Sequence, residues 1–333
     1  MKQSHTQREV GPWARQKLSV LREYLQFYTT ALKRQNFDLV YIDAFAGSRK
    51  FRVRDAKATG QHAFDFFLTD PDSIMPHDFN QYCLFEEDSK SDISEVRNKD
   101  TEESNKYIHG SPYCALNLPK FCGFNRHYFF EKDPKRVDDL KKLEEEFPNK
   151  NICVKKGDAN ILIRDLVQGR KLFQHEHARG VAFLDPYGPH LEWATVEALA
   201  KTKKMEVIIN FPVNMATNRL IPKSGEMEES WMERLNLHFG TKDWHGVVYE
   251  RSQGLFGEML QKQDGVPDKL LELYISCLKV VYACVATPHR VENTRRSPLY
   301  YLIWAGPNSL GIKGAERILS KRSMELQWWA DNS

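Results

Sequence analysis

Apolar positions repeat every three or four residues in some segments of this chain and run together in short blocks in others. Residues 13–35 place Leu18, Leu21, Leu25, Tyr28 and Leu32 on one face, which predicts an amphipathic helix packed on a core. Five short blocks rich in β-branched and aromatic residues predict strands. They are "FDLVYIDAFAG", "RHYFFEKDP", "NICVKKGDAN", "VAFLDPYG" and "MEVIINFPVN".

Helical patterns separate these strands, as in "KRVDDLKKLEEEF", "ILIRDLVQ" and "WATVEALAKTK". Alternating strands and helices predict an α/β fold with a mostly parallel, Rossmann-like doubly wound sheet and helices on both faces. Ser111 before Pro112 is the predicted N-cap of a further helix. Two late runs, "VVYACVATPHRV" and "PLYYLIWAGP", predict an antiparallel pair at one sheet edge.

The chain of 333 residues is interpreted as a single domain, 1–333, with two insertions. Residues 49–109 are irregular and include a charged stretch at 86–106 that is poor in apolar residues. They are predicted to interrupt the loop between the first strand and its helix. Residues 214–275 are predicted to be a helical insertion before the last strands, because "EMEESWMERL" and "FGEMLQKQ" read as helices.

Composition narrows the class of protein. With 41% hydrophobic and 28% charged residues, the chain fits a soluble globular protein. The net charge of +3 neither requires nor excludes a nucleic-acid partner. None of the six cysteines has Cys-x-x-Cys spacing, which argues against a zinc or iron–sulfur site and predicts free thiols. With no apolar signal core and no membrane-length apolar run, a cytoplasmic protein that does not enter membranes is expected.

Four acidic residues follow the ends of four predicted strands: Asp43, Glu131, Asp158 and Asp185. A single acid in this position more often caps the next helix. Four in succession favour a ligand site, because ligands of parallel sheets bind beyond the carboxyl ends of the strands.

The residue types suggest different roles for these acids. Small residues and Gly47 in "DAFAGS" would let backbone approach a ligand. Glu131 follows Gly110 by 21 positions, a spacing at which an acid accepts hydrogen bonds from ribose hydroxyls. Asp158 could accept from an exocyclic adenine amine.

Asp185, Pro186 and Tyr187 form the predicted reactive centre. The carboxylate could accept from a substrate amine, and the ring could stack on a planar base that has been flipped out of a duplex. Asn210, at the end of the fifth strand, could contact substrate or cap the turn before Pro212.

A basic rim is predicted around this centre, chiefly from two adjacent arginines. Its members are Arg295 and Arg296, with Arg219, Lys203 and Lys204 as further candidates. Solvated surface is the more ordinary role for each of the two lysines.

In this order, "IDAFAGS", "FFEKD", "GDA" and "LDPYG" resemble the class I S-adenosylmethionine-dependent methyltransferases. "DPYG" resembles the Asp/Asn-Pro-Pro-Tyr motif of amino-methylating nucleic-acid enzymes, and still more the Asp-Pro-Phe/Tyr-Gly motif of a tRNA guanine N2-methyltransferase family. Across most of the chain, these stretches, with "KLSVLREYLQFYTTALK", "GSPYCALN" and "INFPVNMATNR", resemble the bacterial and phage family of three-Cys-motif partner proteins (TcmP).

The resemblance implies S-adenosylmethionine as cofactor and a radical-SAM-like three-Cys-motif protein as partner. It assigns cofactor binding to Asp43, Phe45, Gly47, Glu131 and Asp158. It assigns the reactive site to Asp185, Pro186 and Tyr187. Two departures stand out: Arg49 occupies a position where a further glycine would be expected, and the second proline of the amino-methylase motif is absent.

Two functions therefore compete. The first is methyl transfer from S-adenosylmethionine to an exocyclic amine of a nucleobase or nucleotide. The second is a non-catalytic partner subunit, whose contact surface could include Trp231, Trp244, Trp328 and Trp329. A metal-dependent nuclease ranks lower because no Asp/Glu/Lys nuclease pattern stands out. A dehydrogenase also ranks lower, because the first loop lacks paired glycines for a pyrophosphate.

Overall fold

The computed structural model describes residues 9–10, 13–53, 107–169, 177–212, 221–223, 225–254, 257–292 and 298–319. The chain divides into two compact units, one comprising residues 1–12 and 50–108 and the other residues 13–49 and 109–333. The boundaries at 50 and 108 fall within one residue of the predicted insertion, 49–109, most of which lies outside the described residues.

The smaller unit is represented by a three-stranded sheet. Its strands are β1 (Glu9–Val10), β3 (Lys50–Val53) and β4 (Tyr107–His109), in the order β1–β3–β4. β1 runs parallel to β3, with Glu9 opposite Arg52.

The larger unit is built on an eight-stranded sheet. Its strands are β2 (Asp38–Asp43), β5 (Arg126–Glu131), β6 (Ile152–Lys156), β7 (Ala178–Leu184), β8 (Met205–Phe211), β11 (Cys284–Val285), β12 (His289–Glu292) and β13 (Pro298–Gly306). They lie in the order β11–β13–β8–β7–β2–β5–β6, and β12 also pairs with β13. The five strands from β8 to β6 are parallel, whereas β13 is antiparallel to β8, β11 and β12. The predicted mixed α/β fold with a mostly parallel sheet is confirmed.

Helices cover both faces of this sheet. They are α1 (Trp13–Leu32), α2 (Ser111–Leu116), α3 (Pro134–Glu146), α4 (Ala159–Gln168), α5 (Trp193–Lys201), α6 (Glu229–Phe239), α7 (Trp244–Val248) and α8 (Val266–Val281), followed by helical residues 309–319. Alternate residues of β2 show the two faces. Val40 joins a core cluster with Ile163 of α4, whereas the ring of Tyr41 lies 5.4 Å from that of Phe124, which stacks on Tyr28 of α1.

The structure corrects two local predictions. Gly110 is the N-cap of α2, and Ser111 is its first helical residue. The Ser111 side chain instead hydrogen-bonds to Asp43, because the strand end beside it carries a buried carboxyl group.

The second correction concerns the segment 214–275, which is not all helical. β9 (Tyr249–Gly254) and β10 (Gly257–Lys262) form an antiparallel hairpin, so the helical interpretation of "FGEMLQKQ" is wrong. The signal that favours a hairpin is the pair Gly254 and Gly257, which face each other where the two strands meet.

Candidate functional site

The structure brings the four strand-end acids to one edge of the sheet, on four neighbouring strands. From one side to the other they are Asp158 after β6, Glu131 in β5, Asp43 in β2 and Asp185 after β7. Asp43 pairs in register with Phe129 and Phe183. Glu131 and Asp185 each follow the residue that pairs with Asp43 by two positions. Both therefore lie just beyond the carboxyl end of β2, on the neighbouring strands.

Asp43 is fully buried at the centre of this edge. Its Oδ2 accepts a hydrogen bond from the Tyr41 hydroxyl at 3.2 Å, while its Oδ1 is buried without a partner. Burial raises the pKa of the Asp43 carboxyl to about 7, and the nearby Asp185 acts in the same direction, while the Ser111 hydrogen bond opposes them. Asp43 therefore changes charge near neutral pH.

Asp185 is held from both sides by hydrogen-bond donors. Lys17 Nζ of α1 donates to its Oδ2 at 2.5 Å, and Asn210 Nδ2 of β8 donates to its Oδ1 at 2.5 Å. Lys17 Nζ also lies 5.5 Å from the centre of the Tyr300 ring. Asp185 and Asn210 are thus in direct contact.

Lys17 is a site residue that the sequence analysis missed. It precedes Leu21 by four residues and Leu25 by eight, so it shares the buried face of α1. A lysine in register with buried leucines was the available signal, since a charge there needs a partner.

The loop that carries Asp185 and Tyr187 is fastened to the helices around it. Asn160 Nδ2 donates to the His190 carbonyl, and Asn160 Oδ1 accepts from the Glu192 N–H, both at 2.9 Å. His238 Nδ1 lies 2.8 Å from the Leu191 carbonyl, which can only accept, so Nδ1 carries the proton. Burial lowers the pKa of His238 to about 4, which keeps the ring neutral. These two supporting residues were also missed.

Within this loop the predicted reactive residues have different environments. Pro186 is buried, whereas the Tyr187 side chain is 73% exposed. Gly188 has φ of 80°, a left-handed conformation that favours glycine. The glycine of the Asp-Pro-Tyr-Gly motif thus allows the chain to turn while Tyr187 stays at the surface.

Glu131 closes the loop after β2. Its Oε2 accepts from the Gly47 N–H at 3.0 Å, and its Oε1 accepts from the N–H groups of Lys132 and Asp133 at 2.9 Å. Gly47 has φ of 69°. Phe45, two residues before Gly47 in the same loop, is half-buried and packs on the core cluster. The predicted cofactor loop and Glu131 are therefore in direct contact.

Arg49, which stands where a further glycine was expected, is bound to side chains of α3. Its backbone N–H donates to Asp139 at 2.9 Å, and its guanidinium group forms ion pairs with Asp139 and Glu146. The arginine thus fixes the end of the loop to a helix.

Asp158 reaches the site edge but also caps α4. Its side chain accepts from the Asn160 N–H at 2.9 Å. The ordinary capping role of an acid after a strand therefore holds for Asp158.

Only the two lysines of the predicted basic rim lie among the residues that the structure describes. Arg219, Arg295 and Arg296 lie outside the described residues. Lys203 and Lys204 precede β8, and the Lys204 carbonyl accepts from Gly180 near the start of β7. They lie at the amino ends of the strands, so their placement at the rim is wrong: the crossover helix returns the chain to the opposite edge.

Two of the four tryptophans proposed for a partner surface lie among the described residues, and these two differ in burial. Trp231 is 37% exposed, whereas Trp244 is buried and donates to Asn236 Oδ1 at 2.8 Å. Trp244 is therefore a core residue rather than a surface residue, and Trp328 and Trp329 lie outside the described residues.

In the described part of the chain, no group of three His, Cys, Asp or Glu side chains is arranged to hold a metal ion. No helix in the same residues is long and apolar enough to cross a membrane.

Comparison with solved structures finds two distant similarities among others. No protein-family model matches the chain, and no curated protein matches it. A crystal structure of protein LPL1258 from Legionella pneumophila, of family DUF519, superimposes with a TM-score of 0.49 at 14% identity, covering 91% of this chain and 90% of that one. A conserved hypothetical protein of Streptococcus pyogenes gives 0.23 at 16% identity, covering 46% and 79%. At these scores the two similarities carry no argument about fold or function.

Proposed function

We propose that this protein is an S-adenosylmethionine-dependent methyltransferase that acts on an exocyclic amine of a nucleobase or nucleotide. One observation carries the proposal: Asp158, Glu131, Asp43 and Asp185 follow four adjacent parallel strands and meet at one sheet edge. Ligands of open α/β sheets bind at this edge.

The strand order supports a Rossmann-like doubly wound sheet of the class I methyltransferase type. From β2 the chain adds β5 and β6 on one side, then returns to add β7 and β8 on the other. The order thus reverses between β2 and β7, and a ligand crevice opens at such a reversal. The antiparallel β13 lies between β8 and β12, at the sheet edge where the two late apolar runs predict an antiparallel pair.

The cofactor side of the edge has suitable groups. Ala44, Ala46 and the left-handed Gly47 keep side-chain bulk away from the loop after β2, so a ligand can approach its backbone. Glu131 provides a carboxylate at that loop, and Asp43 has an unpartnered oxygen behind it. When bound, S-adenosylmethionine supplies an electrophilic methyl group.

On the acceptor side, Asp185 accepts an N–H of the substrate amine and orients the nitrogen lone pair. Lys17 and Asn210 hold the carboxylate, and Asn160 holds the loop that carries it. The exposed Tyr187 ring offers a face on which a base stacks. Catalysis then comes from position and from acceptors placed before the reaction.

The second candidate is a non-catalytic partner subunit of a three-Cys-motif protein, as the resemblance to TcmP proteins implies. One contact set favours it: the Glu131 carboxylate already accepts three backbone N–H groups, from Gly47, Lys132 and Asp133. A carboxylate committed to its own loop has fewer lone pairs for a ribose.

Calorimetric titration with S-adenosylmethionine and S-adenosylhomocysteine separates the two candidates. The methyltransferase predicts micromolar binding that weakens at least roughly tenfold in Asp43→Asn. Glu206→Gln is the matched control, because Glu206 is a second buried carboxyl with a pKa raised to about 7, on β8. Absence of binding in the wild type rejects the stand-alone methyltransferase and favours the partner role.

A further inference from the structure

The Asp185 carboxylate lies between two donors, and this arrangement has the pattern of a recognition element. Lys17 donates to one carboxylate oxygen and Asn210 to the other, so the three side chains form a donor–acceptor–donor row. We define Lys17, Asp185 and Asn210 as the recognition row. It draws on α1, the loop after β7, and β8.

Each member of the recognition row keeps hydrogen-bonding capacity. An ammonium group has three N–H donors and an amide nitrogen has two, so Lys17 and Asn210 each have donors beyond the one directed to Asp185. A carboxylate has about four lone-pair sites, of which these contacts use two. The row can therefore bind a ligand without breaking up.

The row is fixed in place. Side-chain exposure is only 15% for Lys17 and 21% for Asp185, and the Asn210 residue is 7% exposed. The buried Tyr300 ring lies under the Lys17 ammonium. Donors that are buried and fixed discriminate strongly, because a ligand that fails to pair with them leaves them unsatisfied.

Among nucleobase amines, one matches a donor–acceptor–donor row on both sides. The adenine amine lies between two ring acceptors, N1 and N7. The cytosine amine has one acceptor, N3, and a C–H on the other side. The guanine amine lies between N3 and the N1–H donor. That N–H would face the Lys17 ammonium donor to donor. It would reach the unpartnered Oδ1 of Asn210 in place of Nδ2 only if the amide turned and lost its hydrogen bond to Asp185.

We propose that the recognition row selects adenine as the methyl acceptor, with Lys17 and Asn210 as specificity-determining residues. This inference rests on the proposed function and adds the substrate to it. The Asp185 carboxylate accepts one amine N–H, while the flanking donors bind N1 and N7. In the transfer, a bond forms between the amine nitrogen and the methyl carbon as the carbon–sulfur bond breaks. The sulfonium becomes a neutral thioether, and the methylated amine releases one proton to solvent.

Single-atom analogues of adenine test this directly. The probes are short single-stranded DNA and RNA oligonucleotides that contain one adenine, 7-deazaadenine, 1-deazaadenine, cytosine or guanine, with labelled S-adenosylmethionine. We expect kcat/KM to fall roughly tenfold for each deaza analogue, because each lacks one ring acceptor but keeps the amine. We expect guanine to fall at least roughly a hundredfold.

Two variants assign the contacts. Lys17→Met and Asn210→Leu each remove one donor while keeping a side chain of similar size. In each, the loss for one deaza analogue should disappear while the loss for the other remains, an outcome that a merely structural role for these residues would not produce. Thermal unfolding of each variant checks that it is folded, and the wild-type comparison of analogues stands without them.

The outcomes separate this inference from the proposed function. Cofactor binding with equal transfer to guanine or cytosine, or with no penalty for the deaza analogues, overturns the adenine assignment alone. Cofactor binding with no nucleobase methylated overturns both the adenine assignment and methyl transfer to a nucleobase amine. Absence of cofactor binding overturns both.

Discussion

Glu206 is a buried carboxyl at the start of β8, and it allows the folding energetics to be tested independently of ligands. It is 6% exposed, and its Oε2 accepts from the Tyr24 hydroxyl at 2.5 Å. A Cβ on Gly311, in the last described helix, would lie 2.6 Å from its Oε1. The group is therefore enclosed by α1, β8 and that helix. Burial raises the pKa of Glu206 from 4.5 to about 7, against the Tyr24 hydrogen bond.

A raised folded-state pKa stabilises the fold while the group is protonated. The contribution is fully present below pH 4.5 and is lost as pH rises through about 7. The difference between these values, at about 1.36 kcal/mol for each pH unit, corresponds to about 3 kcal/mol. Glu206→Gln removes the ionisation and keeps an acceptor for Tyr24. Between pH 4.5 and about 7, the free energy of unfolding should therefore fall by about 3 kcal/mol less in the variant than in the wild type.

Urea unfolding at a series of pH values measures this effect. Glu145→Gln, which changes an exposed carboxylate on α3, is the matched control and should keep the wild-type dependence. Asp43 has its pKa raised to about 7 as well, so adding Asp43→Asn to Glu206→Gln should remove a second decline of similar size. Buried His238, with its pKa lowered to about 4, contributes a rise in stability over the same pH range, so the effect is measured as the difference between variants. Identical pH dependence in wild type and Glu206→Gln would refute the conclusion that burial keeps Glu206 neutral.

Three further predictions concern the site and its support. S-adenosylmethionine is a sulfonium cation, whereas its product is a neutral thioether. Calorimetry should therefore show the preference for the cation rising roughly fivefold as pH passes through about 7, because Asp43 becomes charged. The Asp43→Asn variant should show no such rise. Asn160→Ala should destabilise the protein by about 2 kcal/mol and speed amide exchange in residues 185–192, and unchanged exchange there would contradict its supporting role. Gly240→Ala should cost about 3 kcal/mol or more in urea unfolding, because Gly240 has φ of 69° and a Cβ would lie 2.2 Å from Trp193; a loss under about 1 kcal/mol would contradict this.

Much of the fold could be predicted because period and composition mark each element locally. The blocks ending at Asp43, Glu131 and Asp185 are short and apolar because buried parallel strands lie between helices on both faces. The hairpin at Gly254 and Gly257 was missed because methionines and glutamates suit helices, so propensity outweighed the turn signal.

The site was predictable only as far as it lies at strand ends. Strand order places residues from successive strands at one edge, so Asp43, Glu131 and Asp185 could be grouped without coordinates. Lys17 could not be grouped with them, because its contact with Asp185 spans 168 residues and depends on how α1 packs across the sheet. The support from His238 depends on packing in the same way.

Amide hydrogen exchange with and without S-adenosylhomocysteine tests the central claim most directly, because it locates the ligand as well as detecting it. With the cofactor at this edge, exchange should slow in the loops that follow β2, β5, β6 and β7, at residues 44–49, 132–133, 157–158 and 185–190. Exchange should not change at the amino ends of the same strands or in the β9–β10 hairpin. Protection confined to those other places, or no protection at saturating ligand, would contradict the assignment of this edge as a cofactor site.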